Sequence, residues 1–467
     1  MASSINFMGS YSGITMETIE QLLQAESTKI TSYQNKQTSI EKEQTAWKDI
    51  QTRLTSLSNK MAAIAKPETF ESKKVVLSKE GKLTFSAGTK AIAGDYSIEV
   101  ERLATRTQVT GNKLTLDDKK TWQTEGTLIF PGQNEDGEPE SIEIKIDAGD
   151  NLEKIINKIN EKTKDSGVSA VAIDDRIVLQ NTAYGNHAID VEGSLAEEFG
   201  FNDPGNIKAG QSAKLTVNGI NIERDSNQIT DAMDGVTLDL KAVTTEPIKV
   251  EVTDDIEFTE KAIKEFVDQY NSTMSFISGL LDVGDPSQED NVTGTLTGDS
   301  SLMRLQTQLR SLLTNAIDNG NTGANTVESI GIEVDRDGVA TLDAQKLQEA
   351  LKKDSNKVRE LFQFTQTSVN EAGETVEEDI GIGQKFETLI NCFTDSKDGI
   401  IATKNKTYDK LIKDIKGNIE KFNDRLAVKR EQYIAKFTAL DIAMMEAESQ
   451  LSYMMSQFNN NSGSNNG

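Results

Sequence analysis

From Tyr408 onward, apolar side chains recur every three or four residues at Leu411, Ile415, Ile419, Phe422, Leu426, Tyr433, Phe437, Leu440, Met444, Ala447, Leu451, Met454 and Phe458. The series breaks once, at Lys429, and its mean spacing is about 3.57 residues, between the coiled-coil and free-helix periods. A stripe this long and narrow needs a second helix beside it. A weaker stripe runs through Ile19, Leu22, Ile30, Tyr33, Ile40, Trp47, Leu54, Leu57, Met61 and Ile64, with Glu26, Gln37 and Gln44 at seam positions. Polar seam residues weaken a helix pair, so the pattern points to association completed in an assembly. The candidate self-association residues are Leu54, Leu57, Met61, Ile64, Leu426, Tyr433, Phe437, Leu440, Met444 and Leu451. The C-terminal stripe is expected to pair with Leu54–Ile64 and, beyond Tyr433, with other subunits.

Proline and glycine divide the chain. All six prolines lie between Pro67 and Pro286, residues 14–66 lack glycine, and Gly417 is the only glycine between Gly399 and Gly463. Both residue types are disfavoured in helix interiors, so the two ends are predicted as long helices, the first closed by Pro67. In the middle the period falls to two. Ile142–Ile146 and Ile248–Val252 alternate as half-buried strands, and Asn218-Gly219 between two alternating runs predicts a type I′ hairpin. Ile173–Leu179 suggests a second tight turn, and Leu152–Lys162 a helix. Helical spacing returns at Phe258, Ala262, Phe266, Tyr270 and Ile277, then in Leu302–Ile317 and Gln345–Phe362, with a hairpin around Asp337-Gly338.

These elements predict an α+β multidomain chain: long terminal helices forming a coiled-coil or helical-bundle leg, and a β-rich head of two subdomains. The expected division places terminal coiled-coil or disordered leg segments at 1–40 and 430–467, and a helical bundle at 41–75 and 258–429. One head subdomain covers 76–107 and 206–257, with a second, 108–205, inserted in it.

Charge follows this division. The net charge is −25, yet residues 1–75 sum to +1 and 401–467 to +2, so the acidity sits in the middle. Such a surface repels nucleic-acid phosphate and anionic membrane. One cysteine excludes an intramolecular disulfide, and no apolar run is long enough to span a membrane. The opening MASSINFMGSYSG has neither the basic nor the apolar region of a cleavable signal, which fits a cytoplasmic protein or one exported uncleaved.

Catalytic signals are thin. Glu333-Val-Asp335-Arg-Asp337-Gly338 begins like a calcium loop, but the twelfth position is Ala344, which favours a hairpin turn. His187 is the only histidine and reads as a surface loop residue; Cys392 reads as a small buried hydrophobe. No Walker loop or GxGxxG is present, so no catalytic, metal-binding or cofactor-binding residue is assigned.

Several segments, in order along the chain, resemble the flagellar hook-associated protein 2 family, the filament caps. They are Ser12-Gly-Ile with Ile19 and Leu22; Gly94–Val100 with Arg102-Leu-Ala104; Leu215–Ile222 with Asn227, Ile229 and Gly235–Leu240; Phe266–Asn271; Gly298-Asp-Ser300 with Leu309-Arg310; Ile330-Gly-Ile332, Asp337-Gly338 and Leu342; Val358–Phe362; and Tyr433, Phe437, Leu440, Asp441 and Met444. The resemblance implies a ring-like homo-oligomer on the distal filament end, beneath which exported flagellin folds and inserts. Its implied partners are itself, flagellin, the hook–filament junction proteins and an export chaperone. Its implied location is extracellular, reached by flagellar type III export without signal cleavage. The terminal stripes then become contacts with neighbouring cap or filament subunits. Two other readings remain at this level: an adhesin whose β head binds mucin or other glycans, and a secreted glycosidase using paired carboxylates.

Overall fold

The computed structural model describes residues 9–133, 138–288, 291–318, 325–370 and 373–462. The chain divides into two compact units, Met1–Ala65 with Glu260–Gly467, and Lys66–Thr259. Long terminal helices and a β-rich middle are present, as the hydrophobic pattern predicts.

The first unit is helical. Its N-terminal helix, Met16–Ala65, stops where Lys66 takes the extended backbone (φ −71°, ψ 133°) that a following proline favours. Helices Ile256–Leu281, Ser300–Thr314, Ala344–Phe362 and Ile382–Thr394 precede a C-terminal helix, Ile400–Ser462. Asp299 caps Ser300–Thr314 by accepting from the N–H groups of Ser301 and Leu302. Asp354 breaks Ala344–Phe362 (φ −167°) and its carboxylate caps the second half at Lys357 N–H.

The core of this unit gathers Trp47, Ile50, Leu54, Leu57, Phe266, Tyr270, Phe362, Phe386 and Phe393, all essentially inaccessible. Phe266 and Phe386 meet edge to face at 5.5 Å. Each of the Ile, Leu and Phe side chains contributes roughly 1.5–3 kcal/mol by leaving water.

Three details depart from the pattern. Leu23, Ala46 and Ile50 are buried although they lie outside the expected stripe, and Leu22 within it is exposed, because the helix drifts round its axis relative to a strict heptad. Phe258 is exposed, the apolar face starting instead at Ile263. Cys392 is exposed, one step round the helix from the buried Phe393. A ribbon pairing Thr365–Val369 with Thr375–Asp379 carries no apolar alternation and left no signal.

The β-rich unit holds two hydrophobic clusters. One lies between a five-stranded antiparallel sheet and a three-stranded one. The five-stranded sheet runs Lys73–Leu77, Ile248–Asp254, Gly94–Arg102, Ala213–Val217, Ile220–Arg224. Its inner residues Ile98, Val100, Leu215 and Val250 pack with Phe85 and Leu238 of the smaller sheet. The hairpin turn is Asn218-Gly219, both at positive φ (50° and 81°), as a type I′ turn requires.

The second cluster lies under the sheet formed by Val168–Ile173, Arg176–Asn181, Gln108–Thr110 and Ile207–Lys208. The ribbon Gly126–Gln133/Pro139–Ile146 and the helix Leu152–Glu161 complete it. Trp122, Phe199 and Phe201 stack edge to face at its centre, at 5.0 and 5.7 Å. Asp174 and Asp175, both at positive φ, make the second tight turn.

Candidate assembly seam

The N- and C-terminal helices run antiparallel along much of their length. Gln44 donates to Asp409 at 2.8 Å, Lys429 reaches Glu26 at 2.5 Å, and Arg430 pairs with Glu20 at 2.7 Å. This register differs from the expected one. Leu54, Leu57, Met61 and Ile64 are buried within the helical unit, with Met61 against Gly383 of the neighbouring helix. The C-terminal stripe instead lies along the earlier, more polar part of the N-terminal helix.

Leu411 is exposed, and from Ile415 onward burial along the stripe falls towards the C-terminus. Ile415 is buried; Ile419, Phe422, Leu426, Tyr433 and Phe437 are half-buried. Leu440 and Met444 are each 41% exposed, and Leu451, Met454 and Phe458 are 56, 55 and 70% exposed. The half-buried stretch leaves a groove of about 550 Å³ edged by Glu26, Lys29, Phe422, Leu426 and Lys429.

The polar seam positions have partners. Lys429 is the one break in the C-terminal stripe, and it meets Glu26, a break in the N-terminal one. Its ammonium holds the Glu26 carboxyl below the usual range, with a further contact from the Tyr433 hydroxyl. Gln44 binds Asp409 across the seam, whereas Gln37 bonds to Glu41 on its own helix.

At the bundle end, Lys404 sits 4.8 Å over the Trp47 ring and binds the Asp299 carboxylate at 2.7 Å. Close by, burial and the carboxylates of Glu43 and Asp299 push the Tyr408 phenol up to about 12.

The seam ends in a carboxylate clasp. Asp441, 3% exposed, accepts the backbone N–H groups of Gly9 (2.6 Å), Ser12 (2.6 Å) and Tyr11 (3.2 Å). Those N–H groups, Gly9 foremost, hold its carboxyl below the ordinary carboxylate value against the opposing effect of burial. Spacing in the helical stripe could not reveal this residue; only its place in the family's C-terminal pattern singled it out. No group of three or more metal-ligating side chains occurs among the described residues, and Asp335 serves its hairpin by accepting from Asp337 and Val339 N–H.

Family models match in three places. The C-terminal model of flagellar hook-associated protein 2 covers residues 210–449, the N-terminal model 12–107, and a flagellin hook IN motif 127–183. The chain belongs to the flagellar hook-associated protein 2 family. The Escherichia coli K12 member is 30% identical over 99% of this chain and 100% of its own length. The B-type protein of Pseudomonas aeruginosa is 28% identical over 81% of each. A crystal structure of the D1–D2–D3 domains of the E. coli flagellar cap protein superposes with a TM-score of 0.62 at 28% identity, covering 78% of this chain and 99% of that one.

The short motifs that carry the family resemblance bond to distant partners in space. Ser12 meets Asp441, and Asp299 meets Lys404. The Asn227 side chain brackets both backbone groups of Ala104, at 2.7 and 2.9 Å. The Asn271 side chain does the same for Ala340, at 2.8 and 2.7 Å. The two asparagines are fasteners in which one short polar side chain satisfies both backbone groups of a single distant residue.

Proposed function

We propose that this protein caps the distal end of the bacterial flagellar filament as a ring-like homo-oligomer and promotes folding and insertion of exported flagellin. Membership of the family over the whole chain supports this, and the solved relative bears the description of a flagellar cap. The observation that carries the reading is the apolar face from Leu440 to Phe458, which is exposed in the single chain. A face of that size on a soluble protein marks a contact with another molecule.

On this reading Leu440, Met444 and Leu451 touch neighbouring cap or filament subunits. Leu426, Tyr433 and Phe437, half-buried against the N-terminal helix, complete that contact. Leu54, Leu57, Met61 and Ile64 give the leg its own core. The protein works outside the cell, after export by the flagellar type III route with an export chaperone, and it abuts the junction proteins before the filament grows. No catalysis is needed. The comparisons give no support to glycan binding by the β-rich unit.

Deletion of the gene, followed by electron microscopy and assay of the medium, tests the reading. Loss of filaments with monomeric flagellin released into the medium, restored by the native gene, is expected. Filaments of normal length in the deletion strain would refute it.

A further inference from the structure

The two hydrophobic clusters of the β-rich unit are tied where the chain leaves one and returns. Thr105 and Gln211 bridge the outgoing and returning segments through both their backbone groups, and Gly210 N–H donates to the buried Thr107 hydroxyl. A third strand of chain, the loop after Arg176–Asn181, crosses over. Gly185 N–H donates to Thr105 O at 3.0 Å, and Tyr184 packs on the first cluster with the Arg106 guanidinium 4.4 Å from its ring. Gly185 has φ 103°, and a Cβ there would lie 2.4 Å from Asp225 Cγ, so the Asp225 carboxylate is wedged against bare backbone. Its one basic partner within 4.0 Å among the described residues is His187 Nε2, at 3.7 Å, beyond hydrogen-bond length but within the reach of an ion pair once the ring is protonated. The adjacent Arg224 is bound to Asp231 instead, and Asp190 lies exposed further along the loop of His187.

We propose that His187 and Asp225 form an acid-tightened latch that seats this loop across the two β cores. Imidazole is the side chain that gains its charge on mild acidification, and this chain has a single histidine. Protonation turns a carboxylate facing a neutral ring into one facing a cation. Both side chains are about half exposed (49 and 50%), which limits the effect to that of a surface ion pair.

Hydrogen exchange on the full-length protein at pH 7.5 and 5.5, corrected for intrinsic rates, reads the amides of Thr105, Gly185 and Gln211. Acidification is expected to raise their protection by about two- to fivefold. The rise should vanish in His187→Gln and in Asp225→Asn, and the amide of Leu179 inside the insert should not share it. His187→Lys, charged at both pH values, should show the higher protection throughout. The same acid response in His187→Gln as in the native protein, or none in the native protein, overturns the latch.

Discussion

Lys429, the polar interruption of the C-terminal stripe, faces Glu26, one of three polar positions in the N-terminal one, as an ion pair across the terminal helices. Two seam defects placed opposite one another define a register, since any slip would strand a charge against apolar neighbours. Lys429→Leu or Glu26→Leu alone is expected to lower the melting temperature of the purified protein. The exchange Glu26→Lys with Lys429→Glu should restore most of it. Replacing Glu26, Gln37, Gln44 and Lys429 together by Leu, which leaves no charge stranded at the Glu26–Lys429 position, should raise the melting temperature and slow filament growth, because a tight seam no longer lets the leg change partners. Tightening with normal filament growth would show that seam weakness has no role.

The Asp441 clasp should open in acid. Its folded pKa lies below the ordinary carboxylate value, so its contribution is complete above the unfolded pKa and is lost as the pH falls through the folded one. Hydrogen exchange at Gly9, Tyr11 and Ser12 should therefore accelerate, relative to intrinsic rates, only below about pH 4. Asp441→Asn keeps the shape but loses the charge, and should show the faster exchange already at pH 7. Unchanged exchange in that variant would mean the segment is held by other contacts.

Asp150 supplies the corresponding test in the β-rich unit. Burial opposes its ionisation, but Lys154, Lys158 and the N–H of Asp147 outweigh that and bring its pKa to about 2. The depressed value means stability that is fully present above about pH 4 and disappears as the pH drops towards the folded pKa. Asp150→Asn should cost roughly 1–2 kcal/mol at pH 7 in urea titrations, with most of that cost gone near pH 2 as the native carboxyl takes up its proton. A variant as stable as the native protein at pH 7 would place the carboxylate outside the folding balance.

Much of this was legible because local chemistry and tertiary structure agree. Asn218-Gly219 dictated its turn through φ, and the absence of glycine and proline from residues 14–66 dictated a helix that Pro67 ends. What the stripes could not specify was which segment faces which. Period fixes the face a helix presents but not the partner, so the stripes do not reveal that Leu54–Ile64 is occupied by Ile382–Thr394 and its neighbours. The ribbon Thr365–Val369/Thr375–Asp379 is polar on both faces, and alternation has nothing to register there. Asp441 was visible only as part of a family pattern, since its role depends on backbone groups more than four hundred positions away.

Two groups of the candidate residues should separate cleanly under mutation. Leu57 is buried in the helical unit, so Leu57→Ala removes core packing and should cost about 2–5 kcal/mol. Met444 and Leu451 are 41 and 56% exposed, so Met444→Gln with Leu451→Gln should change stability by no more than about 0.5 kcal/mol each. If their role is assembly, that double variant should stay folded by circular dichroism, sediment as a smaller species than the native protein, and fail to restore filaments in a deletion strain. Leu57→Ala should lose activity only in proportion to the protein that unfolds, and cooling should recover part of it. Normal oligomers and normal filaments from the double variant would remove the exposed face from the assembly contact and return the search to the half-buried stretch around Leu426 and Tyr433.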